Sequence, residues 1–147
     1  MTDNLFLFAS IAGSPIAIRA SEIEAVVRLG DVVPIPLAPP HVRGLAALRS
    51  RVLTIIDMQA RVFGPESGGR PAGLAVIADI AAHSYGFLVD SVSDICDAPE
   101  GIRPIRGRIA PDWVNFVSGL VEQDGRSRLL LTLSDFVSAP GGNALAA

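Results

Sequence analysis

The chain has no lysine: all twelve of its basic residues are arginine. Fifteen acids outweigh them, for a formal net charge of −3 and an isoelectric point near 5.2. That balance argues against a nucleic-acid binder, because a phosphate backbone is held by a concentrated positive face. Arg103, Arg106 and Arg108 form the one local cluster, and they read as a solvated strand face. Cysteine occurs once, at Cys96, so neither an intramolecular disulfide nor a paired-cysteine metal knuckle can form. Its alternating surroundings make it a small buried hydrophobe. Aromatic residues make up 5% and charged residues 18% against 50% apolar, so the core must be aliphatic and alanine-filled, and a disordered chain is excluded. No apolar run approaches the roughly eighteen residues that a spanning helix needs. The run from Leu5 to Ala12 follows an acid and leads straight into another strand, unlike a secretory leader. The expectation is a soluble cytoplasmic protein without direct membrane insertion.

Catalytic chemistry lacks its parts. His41 and His83 are the only histidines, and neither stands at ligand spacing from Cys or a carboxylate; both read as exposed loop or turn residues. GxSxG, GxGxxG and GxxxxGK[ST] are absent. Asp90, Asp94 and Asp97 have no glycine-containing calcium loop beside them and are expected to be solvated edge charges. The reading is therefore no enzyme, no metal and no cofactor.

What is present is strand grammar. Gly44 to Gly64 reads as strand, turn, strand and helix start: an apolar run stops at Arg49-Ser50-Arg51, resumes at Val52, and ends at Asp57, which is suited to cap a short helix through Phe63. Leu5–Ile11 and Ile16–Ile18 form an N-terminal hairpin across Gly13-Ser14-Pro15, and SEIEAVVRL turns from a helical start into a strand near Ala25–Arg28. Four prolines in VVPIPLAPP forbid a helix and suit an extended connection. Pro65–Pro71 reads as a flexible loop. Strands follow at Gly73–Ala78, Tyr85–Val89 and Ser91–Cys96, then a hairpin of Phe116–Val121 and Leu129–Leu133 that contains the Asp124-Gly125 turn. Ser134 is placed to cap a last helical turn through Val137, and residues 138–147 are expected to be a disordered tail.

The two halves repeat one order of events. Ile18, Ile23 and Val26 recur as Phe87, Val92 and Ile95; Pro34-Ile35 as Pro104-Ile105; Gly44-Leu45 as Gly119-Leu120; Arg49-Ser50-Arg51 as Arg126-Ser127-Arg128; and Asp57 as Asp135. An ordered set of this kind implies a duplicated unit of about five short strands. The expected fold is all-β, two tandem five-stranded SH3-like β-barrels with short helical turns, because closure removes exposed strand edges. The expected subdomains are 14–65 and 72–137, the latter with the N-terminal strand added.

PHVRGLAALRSRVLTIIDM resembles the signature of the CheW family, in which a strand runs into Asn-Leu-Arg-Gly and then an apolar strand ending in Asp-Leu. YGFLVDSVSDI, EGIRPI and SGLVEQDGRSRLLLTLSDF are similar to that family's later segments in order and spacing, so the resemblance runs from Leu5 to Val137. It implies two SH3-like barrels around a shared apolar core and no catalysis. It implies an adaptor in bacterial chemotaxis, joining the cytoplasmic tips of chemoreceptors to the regulatory domain of a CheA-type histidine kinase. The interface positions it carries over are Ile23, Val33, Ile35, Leu48 and Arg49. Duplicated barrels with two different ends also permit heterologous, ring-forming contacts.

The chain departs from the signature at Ala47 and Ser50, which stand for the Asn and the Gly, and at Ala25, where an acid is usual. Arg49 is then expected to find its partner in Glu22 or Glu24. Such a member fits a dedicated receptor cluster or a pilus-type array. Two other classes remain beside the adaptor: a small-molecule-binding barrel in which the Arg49-Ser50-Arg51 guanidinium groups hold phosphate, and an enzyme working in a cleft between barrels.

Overall fold

The computed structural model of the chain describes residues 4–67 and 73–137. Eleven strands and a single short α-helix appear among them. The first hairpin is β1 (Leu5–Ile11) and β2 (Ser14–Arg19), joined through Ala12 and Gly13, both at positive φ. A 3-10 turn at Ala20–Glu22 precedes β3 (Ala25–Arg28), as the SEIEAVVRL pattern implies. The proline-rich stretch bridges to Leu45 at Val33, turns at Pro36 and Leu37 and again at Pro40 and His41, and leads to β4 (Val42–Leu48), β5 (Arg51–Asp57), α1 (Met58–Phe63) and a 3-10 turn at Pro65–Ser67. The second half holds β6 (Leu74–Ile80), β7 (His83–Val89), β8 (Ser91–Asp97) and the two-residue β9 (Ile102–Arg103), then β10 (Val117–Gln123), β11 (Arg126–Leu131) and a last 3-10 turn at Leu133–Phe136.

The strands form two sheets, of five (β3-β6-β7-β5-β4) and six (β8-β1-β2-β11-β10-β9). Each covers its own apolar interior, aliphatic and alanine-filled as expected in the five-stranded sheet but built around two phenylalanines in the six-stranded one. Ala46, Leu53, Ile55, Ala75 and Ile77 fill the first, with Val27, Leu29, Val32 and Leu48 packed against them. Phe6, Phe8, Ala17, Ala98, Val121 and Leu130 fill the second, with Cys96 against them. The all-β expectation holds, with β9 the strand beyond five.

The grouping of strands differs from the 14–65 and 72–137 division. One compact unit is Ile23–Ser91; the other joins the chain up to Glu22 with the chain from Val92. Hairpin β6–β7 pairs with β3 and, in parallel, with β5, whereas β1–β2 joins β8 and, in parallel, β11. The duplicated halves thus exchange their leading hairpins. Apolar alternation marks a strand but not its partner, and parallel pairs carry no connecting turn to betray them.

Within the repeat, Gly44 and Gly119 are equivalent, each at a register shift in its hairpin. The equivalent arginines are Arg51 and Arg126, which follow the two-residue turns Arg49-Ser50 and Asp124-Gly125, so the two Arg-Ser-Arg triplets are offset. Asp57 corresponds to Thr132 rather than Asp135, and Thr132, not Ser134, stands at the N-terminus of the last helical turn. The rest of the Pro65–Pro71 loop and the 138–147 tail lie outside the described residues. Asp90, Asp94 and Asp97 are exposed along the β8 edge, as expected of solvated edge charges.

Candidate protein-interaction surface

The β4–β5 hairpin is built by alternation. Leu53 and Ile55 point into the core and are fully buried, which turns Val52 outward, 63% exposed and opposite the exposed Ala47. Leu48 faces Arg51 across the two-residue turn and packs partly buried on the core. Arg49 sits in that turn with φ 56°, in the left-handed region that side chains with a Cβ seldom adopt. The positive φ falls on Arg49 and not on Ser50, so Ser50 in place of a glycine meets no penalty there.

Beside the hairpin runs the proline-rich strap. Val33 N–H donates to the Leu45 carbonyl and Leu45 N–H to the Val33 carbonyl, each at 2.8 Å. This reciprocal pair lays the strap on β4 at Gly44, where a Cβ would collide with the Val33 carbonyl. Pro34 and Pro36, which follow Val33, have no N–H to continue the ladder. Val33 is consequently held firmly by its backbone while its side chain is 63% exposed, and Leu37 at the strap's tip is fully exposed with φ 64°.

Charge is organised around Arg51. Its guanidinium grips Glu24 with both arms, at 2.7 and 3.2 Å, and reaches Asp79 at 3.5 Å and Ser84 at 3.4 Å. The Glu24 hydrogen bonds raise the Arg51 pKa further above its ordinary value. Because Glu24 precedes β3 and Arg51 begins β5, the fork ties together strands that are not neighbours in the sheet. Glu22 is engaged elsewhere, accepting from Arg19 at 3.2 Å and from the Leu133 N–H at 2.9 Å. Neither acid serves Arg49, contrary to expectation, because Arg51 lies in the strand and reaches Glu24 first. Arg49 forms no ion pair among the described residues and is exposed.

The far end of the hairpin is fixed by Asp57, 5% exposed. One carboxylate oxygen accepts from the Ala60 N–H at 3.0 Å, capping α1, and the other from Arg43 at 2.6 Å. His41 supplies the carbonyl for the Asp57 N–H at 2.8 Å. It is half-buried rather than an exposed loop residue, and burial, aided by the nearby Arg61 charge, pushes its pKa below the usual value.

All five sequence-derived positions therefore belong to one unit, Ile23–Ser91. Val33 and Arg49 are exposed; Ile23, Ile35 and Leu48 are partly buried. Sequence reasoning passed over Val52, Leu37 and Arg51. The alternation of Val52-Leu53-Thr54-Ile55 carries the signal for Val52, whereas nothing local distinguishes Arg51 from Arg49.

A family model described as a CheW-like domain matches residues 5–140. Among curated proteins, the chain is 33% identical over 102 residues to a chemotaxis protein CheW of Rhizobium meliloti, covering 68% of this chain and 65% of that protein. It is 29% identical over 114 residues to a chemotaxis protein CheW of Treponema pallidum, covering 74% and 66%. The matched stretch thus spans just under two thirds of the length of these two relatives. A CheW of Thermotoga maritima is 24% identical over 122 residues, covering 83% of this chain and 80% of the other. The crystal structure of the scaffolding protein TtCheW from Thermoanaerobacter tengcongensis superposes with a TM-score of 0.80 at 21% identity, covering 97% and 98% of the two chains, which establishes the shared fold.

Proposed function

Because the chain belongs to the family of CheW-like domains, we propose that it is a non-catalytic adaptor that couples chemoreceptors to a CheA-type histidine kinase in chemotaxis signalling. The observation that carries this reading is the surface of the Ile23–Ser91 unit. There an immobilised, exposed Val33 lies beside a hairpin that carries the exposed Val52 and whose turn presents Arg49 with no ion-pair partner among the described residues. Aliphatic anchors beside an unengaged guanidinium are the composition of interface hot spots. The backbone bonds of the strap and the Arg51 fork hold these groups before any partner arrives, which lowers the ordering cost of association.

In this reading the regulatory domain of the kinase and the helical tip of the receptor are the two partners, and Ile23, Val33, Ile35, Leu48 and Arg49 are the positions that meet them. Coupling then needs no chemistry: an adaptor that binds one conformation of the receptor–kinase pair more tightly shifts the kinase toward it. The protein acts in the cytoplasm at membrane-associated receptor arrays. Among the described residues no helix is long and apolar enough to cross a membrane.

Isothermal titration with the regulatory domain of the same organism's CheA-type kinase tests the proposal. Saturable one-to-one binding, weakened by Val33→Asp and by Arg49→Ala, is the expected result. Absence of binding at about 1 mM, where affinity is worth only about 4 kcal/mol, would sink it.

A further inference from the structure

We infer that the second unit carries a separate docking cleft for an acidic peptide segment, built on Arg106 and Arg108. The argument begins from the duplication. In the first repeat the strap before the glycine of the hairpin is apolar and proline-rich; in the second, the equivalent strap reads Ile102 to Arg108, IRPIRGR. Its anchoring repeats the same device. Ile102 and Arg103 pair with Val121 and Leu120 as β9, and a Cβ on Gly119 would come within 3.0 Å of the Arg103 carbonyl. One position in two copies of the fold therefore presents two different chemistries.

The cationic strap borders two adjoining clefts of about 430 and 380 Å³ that share Arg106, Leu120 and Ser127. Arg108 lines the larger, with Ser14, Leu129 and Trp113, the chain's one tryptophan. The charges are not equivalent. Arg103 is neutralised by Glu100 at 3.0 Å and Glu122 at 3.4 Å, whereas Arg106 and Arg108 are exposed and have no acid partner among the described residues. Ile102, Ile105 and Val114 stand exposed nearby, at 44, 40 and 57%. Two unpaired guanidinium groups beside a floor in which Ile109, Leu120 and Leu129 are interleaved with Ser14 and Ser127 complement a segment whose carboxylates alternate with apolar side chains. The one acid in the smaller cleft, Glu122, is occupied by Arg103. The length of two joined clefts and the apolar rim favour a peptide over a compact anion. This site lies on the other unit from Val33 and Arg49, and its existence does not depend on the adaptor reading.

Trp113 is 3% exposed and lines the cleft, so its fluorescence reports occupancy without a label. The experiment titrates the full chain with a capped decapeptide of alternating glutamate and leucine, and in parallel with the same peptide carrying glutamine. The expected result is a saturable change for the glutamate peptide only. Arg106→Ser/Arg108→Ser should weaken it at least tenfold, about 1.4 kcal/mol, with an unchanged melting curve because both side chains are exposed. Arg126→Ser, an exposed arginine outside the cleft, should leave it unaltered. Equal binding of the glutamine peptide, indifference to the double substitution, no saturation by about 1 mM, or full competition by inorganic phosphate would each overturn the inference, the last by reducing the site to one for small anions.

Discussion

The carbonyl of Val33 occupies the space that a Cβ on Gly44 would need, so the exposure of Val33 depends on the absence of a side chain eleven residues later. Gly44 also holds φ 148°, a region open in practice only to glycine. Gly44→Ala should cost about 2–3 kcal/mol, from strain and displacement of the strap backbone, and should weaken partner binding through Val33. Gly119→Ala should cost less, because Gly119 has no positive φ and its Cβ would only crowd the Ile102 side chain at 2.9 Å and the Arg103 carbonyl at 3.0 Å, where a Cβ on Gly44 would overlap a carbonyl outright. Urea denaturation of both variants checks the order; equal costs would mean that the strap is held by something other than this contact.

The turn joining β6 and β7 is built against its own chemistry. Ala81 and Ala82 have φ 52° and 68°, whereas the corresponding Ala12-Gly13 turn has a glycine at its second position and the Asp124-Gly125 turn between β10 and β11 uses two residues that tolerate this region. Each alanine in left-handed conformation costs about 1 kcal/mol. Ala81→Asn with Ala82→Gly should therefore raise stability by about 1–2 kcal/mol without altering binding, since both positions are exposed and lie outside the proposed surfaces. A chemical denaturation midpoint that does not rise would contradict the turn geometry.

These turns also show what the sequence can and cannot disclose. Asp124-Gly125 announces its hairpin, and Asp57 announces its helix, because each carries a local chemical reason. Ala81-Ala82 announces nothing, and that turn is inferred from the strands around it. The exchange of hairpins β1–β2 and β6–β7 is invisible for a different reason: parallel pairing of β5 with β7 and of β11 with β2 is decided by packing across distant segments. The candidate surface divides in the same way. Arg49 stands out through a motif, whereas the grip of Arg51 on Glu24 emerges only when β3 and β5 are brought together.

Asp57 is a joint between helix cap and ion pair, and two substitutions separate the roles. Asp57→Asn keeps an oxygen for the Ala60 N–H and loses the charge facing Arg43, for an expected cost of about 1 kcal/mol. Asp57→Ala removes both, at about 2–3 kcal/mol: roughly 1 kcal/mol for the cap and the rest for Arg43, which remains near enough to solvent to recover part of its hydration. Thermal or urea unfolding distinguishes them, and equal costs would show that the cap contributes nothing.

Arg49 and Arg51 should separate binding from folding. Arg49→Ala is expected to change stability by less than about 0.5 kcal/mol, as surface substitutions do, while weakening kinase or receptor binding. Arg51→Ala should lower the melting temperature, and added salt should narrow its gap from wild type, because its partners Glu24 and Asp79 are exposed enough to be screened. Melting curves at low and high salt, set beside binding titrations, make the comparison; an Arg49→Ala protein that binds normally would remove Arg49 from the interface.

His41 gives the fold a pH dependence whose sign can be worked out. Its pKa in the folded chain lies below the ordinary 6.5, chiefly because burial disfavours the charged imidazole. The unfolded chain therefore takes up the proton first as the pH falls. Stability rises with pH wherever the unfolded state binds more protons, so the His41 contribution is fully present above about 6.5 and is lost progressively as the pH drops toward the folded pKa. His41→Gln keeps a polar side chain but cannot charge, and its backbone carbonyl still serves the Asp57 N–H. Urea midpoints measured between about pH 7.5 and 5 should fall more steeply for the wild type than for His41→Gln. Parallel curves would mean that the imidazole is as well solvated in the folded chain as in the unfolded one, and that the histidine matters there only through its backbone.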